Sequence, residues 1–424
     1  MSTRQFVRAA AWMLAASCFS DPSYAWTQER LPLLSEVAQV RRLTAEEARQ
    51  KYPVHLRGVL TYYMPELGVT FFQDSTAGIY IKVEGVAPQA SAGDLVEVDG
   101  VTGPGDFAPE VEKPRITVVG KAPLPHAQLF PLEELLTGRQ DSQWVEIRGV
   151  VRSVDIEDMD PPSMEKGPPS LVLGIAAGNN KFKARIREFQ HDTSYSSLID
   201  AAVAVRGACA TLFNERRQLV GIQLYVPGLE QVRIEEAARA DAYALPIMPA
   251  NSLMQFTQER ASGHRLRVQG VVTFSRPRHF LVMQDSSGGV VVMSDQDTAV
   301  RLGDRIDAVG FPASGQYAPI LEDAEYRRIG PGAAPQPADL TGATSLNSGH
   351  DAELVKVRGR VIDKSVVGEE LVSTLQAGRY TIRVNLDNSS ADQKARSIAI
   401  GSQLEVTGIW SVQTDEYRNP TSFK

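Results

Sequence analysis

Cysteine is almost missing from this chain. Two in 424 residues, Cys18 and Cys209, exclude a disulfide-stapled scaffold. Long apolar runs are missing too: beyond the first 25 residues no stretch approaches the roughly 18 apolar residues of a membrane-spanning helix. Basic charge is short, with 44 Lys and Arg against 51 Asp and Glu and a formal charge of −7. A nucleic-acid binder normally carries a basic footprint, so nucleic acid is not expected as a partner. Catalytic signatures are lacking as well, since no nucleophile elbow, phosphate-cradling loop or metalloprotease helix occurs. The chain is therefore read as a non-enzyme without a cofactor. Its six histidines (His55, His126, His191, His264, His279 and His350) are scattered singly, none at metal-ligand spacing. The acidic run Asp155 to Asp160, followed by Pro161 and Pro162, lacks the glycine and ligand order of a calcium loop and reads as a surface loop. No metal site is expected.

What is present is an ordinary globular balance, 43% hydrophobic and 22% charged. At roughly 100–200 residues per domain the length allows two to four domains. The 33 glycines and 25 prolines favour many turns and short strands.

The amino terminus reads as an export signal. Arg4 and Arg8 precede the apolar stretch Ala9 to Phe19, and Ser23-Tyr24-Ala25 offers small residues where a signal peptidase cuts, so cleavage is placed after Ala25. An uncleaved anchor, or a lipoprotein processed at Cys18, are the alternatives. Ala15 stands where the lipoprotein signal wants a large aliphatic residue. Cleavage leaves 42 basic and 50 acidic side chains, a net charge of −8, with Cys209 as the remaining cysteine in a run whose composition reads as buried core.

One strand-like block recurs four times: Val54-His55-Leu56-Arg57-Gly58-Val59-Leu60, Val145-Glu146-Ile147-Arg148-Gly149-Val150-Val151, Leu266-Arg267-Val268-Gln269-Gly270-Val271-Val272 and Val355-Lys356-Val357-Arg358-Gly359-Arg360-Val361. Apolar and polar residues alternate with period two up to a glycine, as a half-buried strand requires. A second block follows each, at Gly93 to Gly100, Asp200 to Gly207, Gly303 to Gly310 and Gly401 to Gly408. Repeats one and three also share a polar, glycine-bearing turn, Gln73-Asp74-Ser75-Thr76-Ala77-Gly78 and Gln284-Asp285-Ser286-Ser287-Gly288-Gly289, which predicts a β-hairpin. They share a later element, Phe107-Ala108-Pro109-Glu110 and Tyr317-Ala318-Pro319-Ile320.

About five short strands in each repeat predict an all-β chain of tandem five-stranded OB-like barrels. Three should be complete and a fourth incomplete, joined by short helical connectors. One connector opens with the capping box Thr44-Ala45-Glu46-Glu47. The boundaries are a signal peptide at 1–25, a helical lead-in at 26–52, repeat one at 53–124, and connector plus repeat two with the acidic loop at 125–240. Connector plus repeat three occupies 241–334, and repeat four 335–424.

The string Pro53 to Tyr63 followed by Phe71 to Tyr80 resembles the extracytoplasmic OB-like repeats that precede the membrane helix of certain bacterial sensor histidine kinases. The likeness covers essentially the whole mature chain. It implies the input region of a two-component system, exported to the periplasm, whose partners would be a small ligand or a periplasmic protein. Membrane contact would come through a C-terminal segment not in this sequence. The second membrane helix, the phospho-accepting histidine box and the ATP site of that family do not occur here. In repeat four the proline equivalent to Pro109 is Pro420, four residues from the end, so the last repeat is expected to lack its closing strand and the chain to be a fragment of a longer sensor.

Binding candidates follow from the way such barrels use one sheet face and its loops. Tyr62, Tyr63, Phe71, Phe72 and Tyr80 concentrate aromatic rings in repeat one, where core packing competes with stacking on a base or sugar. Arg276 and Arg278, beside His279 and Phe280, offer a basic turn in repeat three. Tyr62, Tyr63, Phe72, Tyr80, Arg276 and Arg278 are the residues chosen. The competing reading is a free periplasmic OB-fold protein that binds an oligosaccharide or another polyanion.

Overall fold

The computed structural model describes residues 31–83, 89–158, 168–216, 218–253, 263–315, 317–341, 348–368, 370–387, 397–415 and 420–424. The expected signal segment and Cys18 lie outside these residues, as do positions 159–162 of the acidic run.

The architecture is predominantly β, and the strands group into four successive units. In the first, β1 (Pro53–Met64), β2 (Val69–Gln73), β3 (Gly78–Lys82), β4 (Asp94–Gly103) and β5 (Glu110–Lys121) close a barrel in the order β1-β2-β3-β5-β4. The second unit holds β6 (Gln128–Leu129), β7 (Trp144–Asp158), β8 (Pro169–Ala177), β9 (Asn180–Glu188), β10 (Ala202–Phe213), β11 (Leu219–Gly228) and β12 (Val232–Glu236). Its seven-stranded sheet returns on itself through pairing of β10 with β7. The third unit is again a closed barrel, of β13 (Leu266–Arg276), β14 (Phe280–Gln284), β15 (Gly289–Met293), β16 (Asp304–Ser314) and β17 (Pro319–Pro331), with the strand order of the first. The fourth comprises β18 (Ala338–Asp339), β19 (Leu354–Val367), β20 (Glu370–Ala377), β21 (Tyr380–Asp387), β22 (Gln403–Ile409), β23 (Val412–Thr414) and β24 (Pro420–Phe423).

The recurrent block is explained by its glycine. The strands that begin with it continue past the glycine and pair with one neighbour before it and another after it. β1 lies on β4 from Pro53 to Val59 and on β2 from Val59 to Met64. A side chain at the changeover would strike the incoming strand. A Cβ on Gly58 would sit 2.4 Å from the Gln73 carbonyl oxygen, on Gly149 2.4 Å from that of Ala176, on Gly270 2.8 Å from that of Gln284, and on Gly359 3.0 Å from that of Gln376. The repeated glycine is the place where a long strand passes from one half of its sheet to the other.

Each core is filled by the inward side of these alternations. Leu56, Leu60, Phe72, Ile79, Ile81, Val96 and Val98 are fully buried in the first unit, together with Val37 and Val40 of α1 (Val37–Arg41). The expected capping box opens α2 (Ala45–Ala48): the Glu47 N–H donates to Thr44 Oγ1 (3.2 Å), and the Thr44 N–H donates to the Glu47 carboxylate (2.7 Å). A further helix, α3 (Leu132–Leu135), buries Leu132 and Leu135 in the second core. Cys209 is buried there too, as its composition suggested, and burial pushes its thiol up to about 12.

Two expectations are corrected. Asp155 to Asp158 are not loop but the end of β7, paired with β8 from Val172 to Pro169, and the Glu157 carboxylate is held by Lys183 and Arg185, each at 2.8 Å. The wide β7–β8 hairpin carries the acidic residues on its strand. The fourth unit also has the start of a closing strand: β24 pairs in parallel with β21 at Ile382↔Phe423 and antiparallel with β23. The Phe423 ring stacks on Trp410 with 5.1 Å between centroids.

Candidate functional site

The motif shared by repeats one and three is a joint. In the first unit Asp74 closes its own turn by accepting the N–H groups of Thr76 (2.7 Å) and Ala77 (2.9 Å) at Oδ1. Its other oxygen accepts the Val37 N–H (2.8 Å), and Thr76 Oγ1 accepts that of Ala38 (3.0 Å), so the hairpin tip holds the start of α1. Gln73 reaches forward instead. Its Oε1 accepts the N–H of Trp144, the first residue of β7, at 2.8 Å. Gly78 completes the contact: its N–H donates to Gln143 Oε1 (3.0 Å), and a Cβ there would lie 2.1 Å from the Ser142 carbonyl oxygen.

The third unit repeats this plan. Asp285 Oδ1 accepts the N–H groups of Ser287 (2.7 Å) and Gly288 (3.1 Å), its Oδ2 accepts that of Ala250 (2.9 Å), and Ser287 Oγ accepts that of Asn251 (3.1 Å). Gln284 Oε1 accepts the N–H of Leu354, the first residue of β19, at 3.1 Å, and a Cβ on Gly289 would lie 2.0 Å from the Ala352 carbonyl oxygen.

The receiving sockets match as well. Ser142 and Ala352 both take left-handed backbone angles, with φ of 63° and 60°. The aspartates just before them hold a distant strand, Asp141 accepting from the Thr211 N–H (2.9 Å) and Asp351 from that of Val412 (2.7 Å). Arg41, its pKa lowered by burial, clamps the first joint by donating to the carbonyls of Gly78 (3.1 Å) and Asp141 (2.8 Å).

The first joint also has an apolar cluster. Tyr62, Met64, Phe71, Trp144 and Ala208 are buried between the two units, and the Tyr225 ring lies 5.1 Å from Tyr62 and 5.6 Å from Phe71. Beside it is a cavity of about 60 Å³ lined by Tyr62, Tyr63, Ser91, Arg187, Glu188 and Pro227 among others. That is room for about two water molecules and too little for a base or a sugar ring. Arg187 crosses the joint, donating to the Tyr63 carbonyl and pairing with Glu66 at 3.0 Å.

The second and third units meet differently. Asp200, at φ 79° in the place taken by Gly93, Gly303 and Gly401 elsewhere, accepts the Arg265 N–H (2.9 Å) and faces His264 Nδ1 at 2.9 Å. That hydrogen bond raises the His264 pKa. The Arg152 guanidinium lies 4.0 Å from the centre of the Phe311 ring, and Lys181 pairs with Glu322 (2.7 Å) and Asp323 (3.1 Å).

The six candidate residues do not converge. Tyr62 is fully buried in the joint, and burial pushes its phenol upward. Tyr63 and Phe72 are buried in the first core, and the half-buried Tyr80 donates its hydroxyl to the Gly68 carbonyl. Arg276 lies across the third and fourth units, 3.9 Å from Glu370, while exposed Arg278 pairs with Asp297 at 2.6 Å. The aromatic rings serve packing because β1 is buried on both faces past Gly58, with Tyr63 in the first core and Tyr62 in the joint, and the two arginines are in another unit. Asp141, Asp351, Arg41 and His264 were not singled out from sequence. The matching strings Asp141-Ser142-Gln143-Trp144-Val145 and Asp351-Ala352-Glu353-Leu354-Val355 carry the signal that would have found the sockets.

No family model matches the chain, and no curated protein does. Among solved structures, a replication protein A heterotrimer bound to ssDNA aligns with 66% of this chain and 92% of its own at 10% identity and a TM-score of 0.23. A murine DNA binding protein bound with ds DNA aligns over 46% and 99% at 9% identity and a TM-score of 0.20. An aspartyl tRNA synthetase from Entamoeba histolytica aligns over 32% of this chain at 13% identity and a TM-score of 0.20, and the chain spans 27% of that synthetase. The expectation that excluded nucleic acid is corrected on this finding, since two of these structures are described as DNA complexes. Its physical weakness is that a net charge is a sum over the whole chain and does not describe the local field.

Proposed function

We propose that the chain is a non-catalytic input region of a bacterial sensor histidine kinase, exported to the extracytoplasmic side of the inner membrane. It is built of tandem OB-like barrels, three complete and a fourth whose closing strand starts at Pro420. The observation that carries this reading is the repeated joint. A barrel that only binds has no need of a fixed neighbour, whereas a barrel that passes a displacement onward does. Here one hairpin tip holds both the lead-in to its own unit and the first strand of the next, twice in the chain.

Two measurements test it. Alkaline phosphatase fused after Lys424 should be active in a Gram-negative host, with a mature amino terminus at Trp26, and inactive when residues 1–25 are deleted. Activity that does not depend on residues 1–25 overturns the export. Deleting the gene should change the phosphorylated fraction of a response regulator on phosphate-affinity gels, and an unchanged set of regulators overturns the sensory role.

A further inference from the structure

The second and third units are linked by very little fixed backbone. β12 ends at Glu236 on the second unit, and Ala238 still packs against that unit's core. From Asp241 onward the chain is fastened to the third unit. Asp241 accepts the Tyr243 N–H (2.8 Å), and the Arg327 guanidinium lies 4.0 Å from the centre of the Tyr243 ring. Arg267, itself paired with the buried Asp307 at 2.7 Å, donates to the Leu245 carbonyl (3.1 Å). Arg239 and Ala240 lie between, both exposed, and among the described residues no backbone hydrogen bond holds them.

Side chains close the two units on each other. Phe311 is fully buried although it is not part of the third core, with the guanidinium groups of Arg152 and Arg265 at 4.0 and 5.3 Å from its ring centre. Nε and Nη1 of Arg152 and Nε of Arg265 are out of water and have no hydrogen-bond partner. Closure thus covers a ring and leaves three donors unpaired, so its gain and its cost oppose each other and one added interaction can decide between closed and open.

His264 supplies such an interaction. It stands just before β13, and its ring is set between two carboxylates of the second unit, with Nδ1 2.9 Å from Asp200 Oδ1 and Nε2 3.9 Å from Glu236 Oε2. A neutral imidazole has one N–H and turns a lone pair to one of the carboxylates, whereas an imidazolium donates to both. Two arginines share the junction. Arg152 of β7 acts on Asp200 through space, and Arg265 gives Asp200 its backbone N–H (2.9 Å) while its guanidinium turns to Glu325 of β17 (3.0 Å). Of these side-chain types imidazole is the one that changes charge near neutrality.

We propose that Arg239 and Ala240 form a hinge between the first two units and the last two, and that a proton on His264 closes it. The imidazolium is drawn against Asp200 and Glu236, and Arg152 is seated on Phe311. When the proton leaves, a ring lone pair faces a carboxylate, Lys181 releases Glu322 and Asp323, and the halves swing apart. Proton concentration then sets the angle between two bodies whose internal joints stay fixed. The hinge does not depend on the sensory reading, and either can fail alone.

Spin labels at Val220→Cys and Leu302→Cys, both exposed positions, report the distance between the halves by pulsed dipolar spectroscopy in the full chain carrying Cys18→Ser, with buried Cys209 left in place. One narrow distribution is expected at pH 5.5 and a broad one at pH 8.5, with the midpoint above pH 6.5 because the Asp200 hydrogen bond favours the charged ring. His264→Gln should be broad at both values. Glu236→Gln, at a side chain 74% exposed, should move the midpoint to lower pH, which a merely structural contact would not do. The titration of the labelled chain with His264 intact decides the matter even where His264→Gln does not fold. A distribution that does not change with pH, a midpoint below pH 6.5, or a folded His264→Gln chain that keeps the same pH response overturns the proposal.

Discussion

At the scale of single residues the shared turn motif divides its work by chemistry. Aspartate has two oxygens and uses one to close the turn and the other to hold the lead-in, while glutamine is long enough to reach the next unit. Glycine is required because the socket's carbonyl arrives where a Cβ would be. Gly78→Ala should therefore force the first two units apart locally and cost about 1–3 kcal/mol, the usual range for overpacking a filled site. Gly289→Ala should do the same at the second joint. Gly120→Ala, where a Cβ meets nothing within 4 Å, is the control. Denaturant unfolding of the three variants checks this, and equal stability of all three would show that the joint yields freely. The motif was legible as a hairpin because turn residues and flanking alternation are local signals. Its second role was not, because the partners of Gln73 and Gly78 lie more than 60 residues away and nothing in the turn names them.

Among elements, the contrast lies between the two like joints and the unlike one at Asp200. There an imidazole and a carboxylate meet beside a strand start, with Glu236 3.9 Å from the other ring nitrogen. The pKa of His264 is raised above its ordinary 6.5 by the hydrogen bond to Asp200. A raised value means that the folded chain holds the proton more tightly than the unfolded one. The stabilisation is then fully present below about pH 6.5 and is lost as pH rises through the folded value. Thermal melts of the wild type and His264→Gln should differ most near pH 5.5 and converge at alkaline pH. A difference that grew with pH would reverse the assignment. The four long strands were readable from alternation, yet their ends were not. The block glycine looks like a terminator, and β1 runs six residues past Gly58 because the strand only changes neighbours there. The acidic end of β7 is hidden from a sequence reading for a related reason: Asp155, Ile156 and Asp158 are all exposed, so this strand end shows no buried alternation of its own although Ser170, Leu171 and Val172 opposite it on β8 are buried.

For the molecule as a whole, the units alternate rather than repeat singly. The first and third carry the Gln-Asp-Ser hairpin, while the second and fourth carry the sockets and a tight hairpin with a left-handed glycine, Gly178 and Gly378, at φ 60° and 59°. The chain is thus two copies of a two-unit pair, and the junction at Asp200 links one pair to the next. The interfaces differ in kind. Within the first pair Tyr62, Met64, Phe71 and Trp144 are buried apolar side chains, and exposing them would leave a hydrophobic surface on either half. Between the pairs the contacts among the described residues are ion pairs, the hydrogen bond of Arg265 N–H to Asp200 and the Arg152 guanidinium over the buried Phe311 ring, so most of the partners are charged groups that can turn to water when separated. Division should therefore be tolerated at one place and not at the other. Residues 31–240 and 241–424 expressed separately should each give dispersed amide spectra and cooperative unfolding. Residues 31–124 alone should bind a hydrophobic dye and aggregate, because Phe71 and Tyr62 lose Trp144 and Tyr225. If 31–124 proves as soluble and cooperative as 31–240, the pair is not the folding unit, and the repeated joint would be an interface between independent barrels.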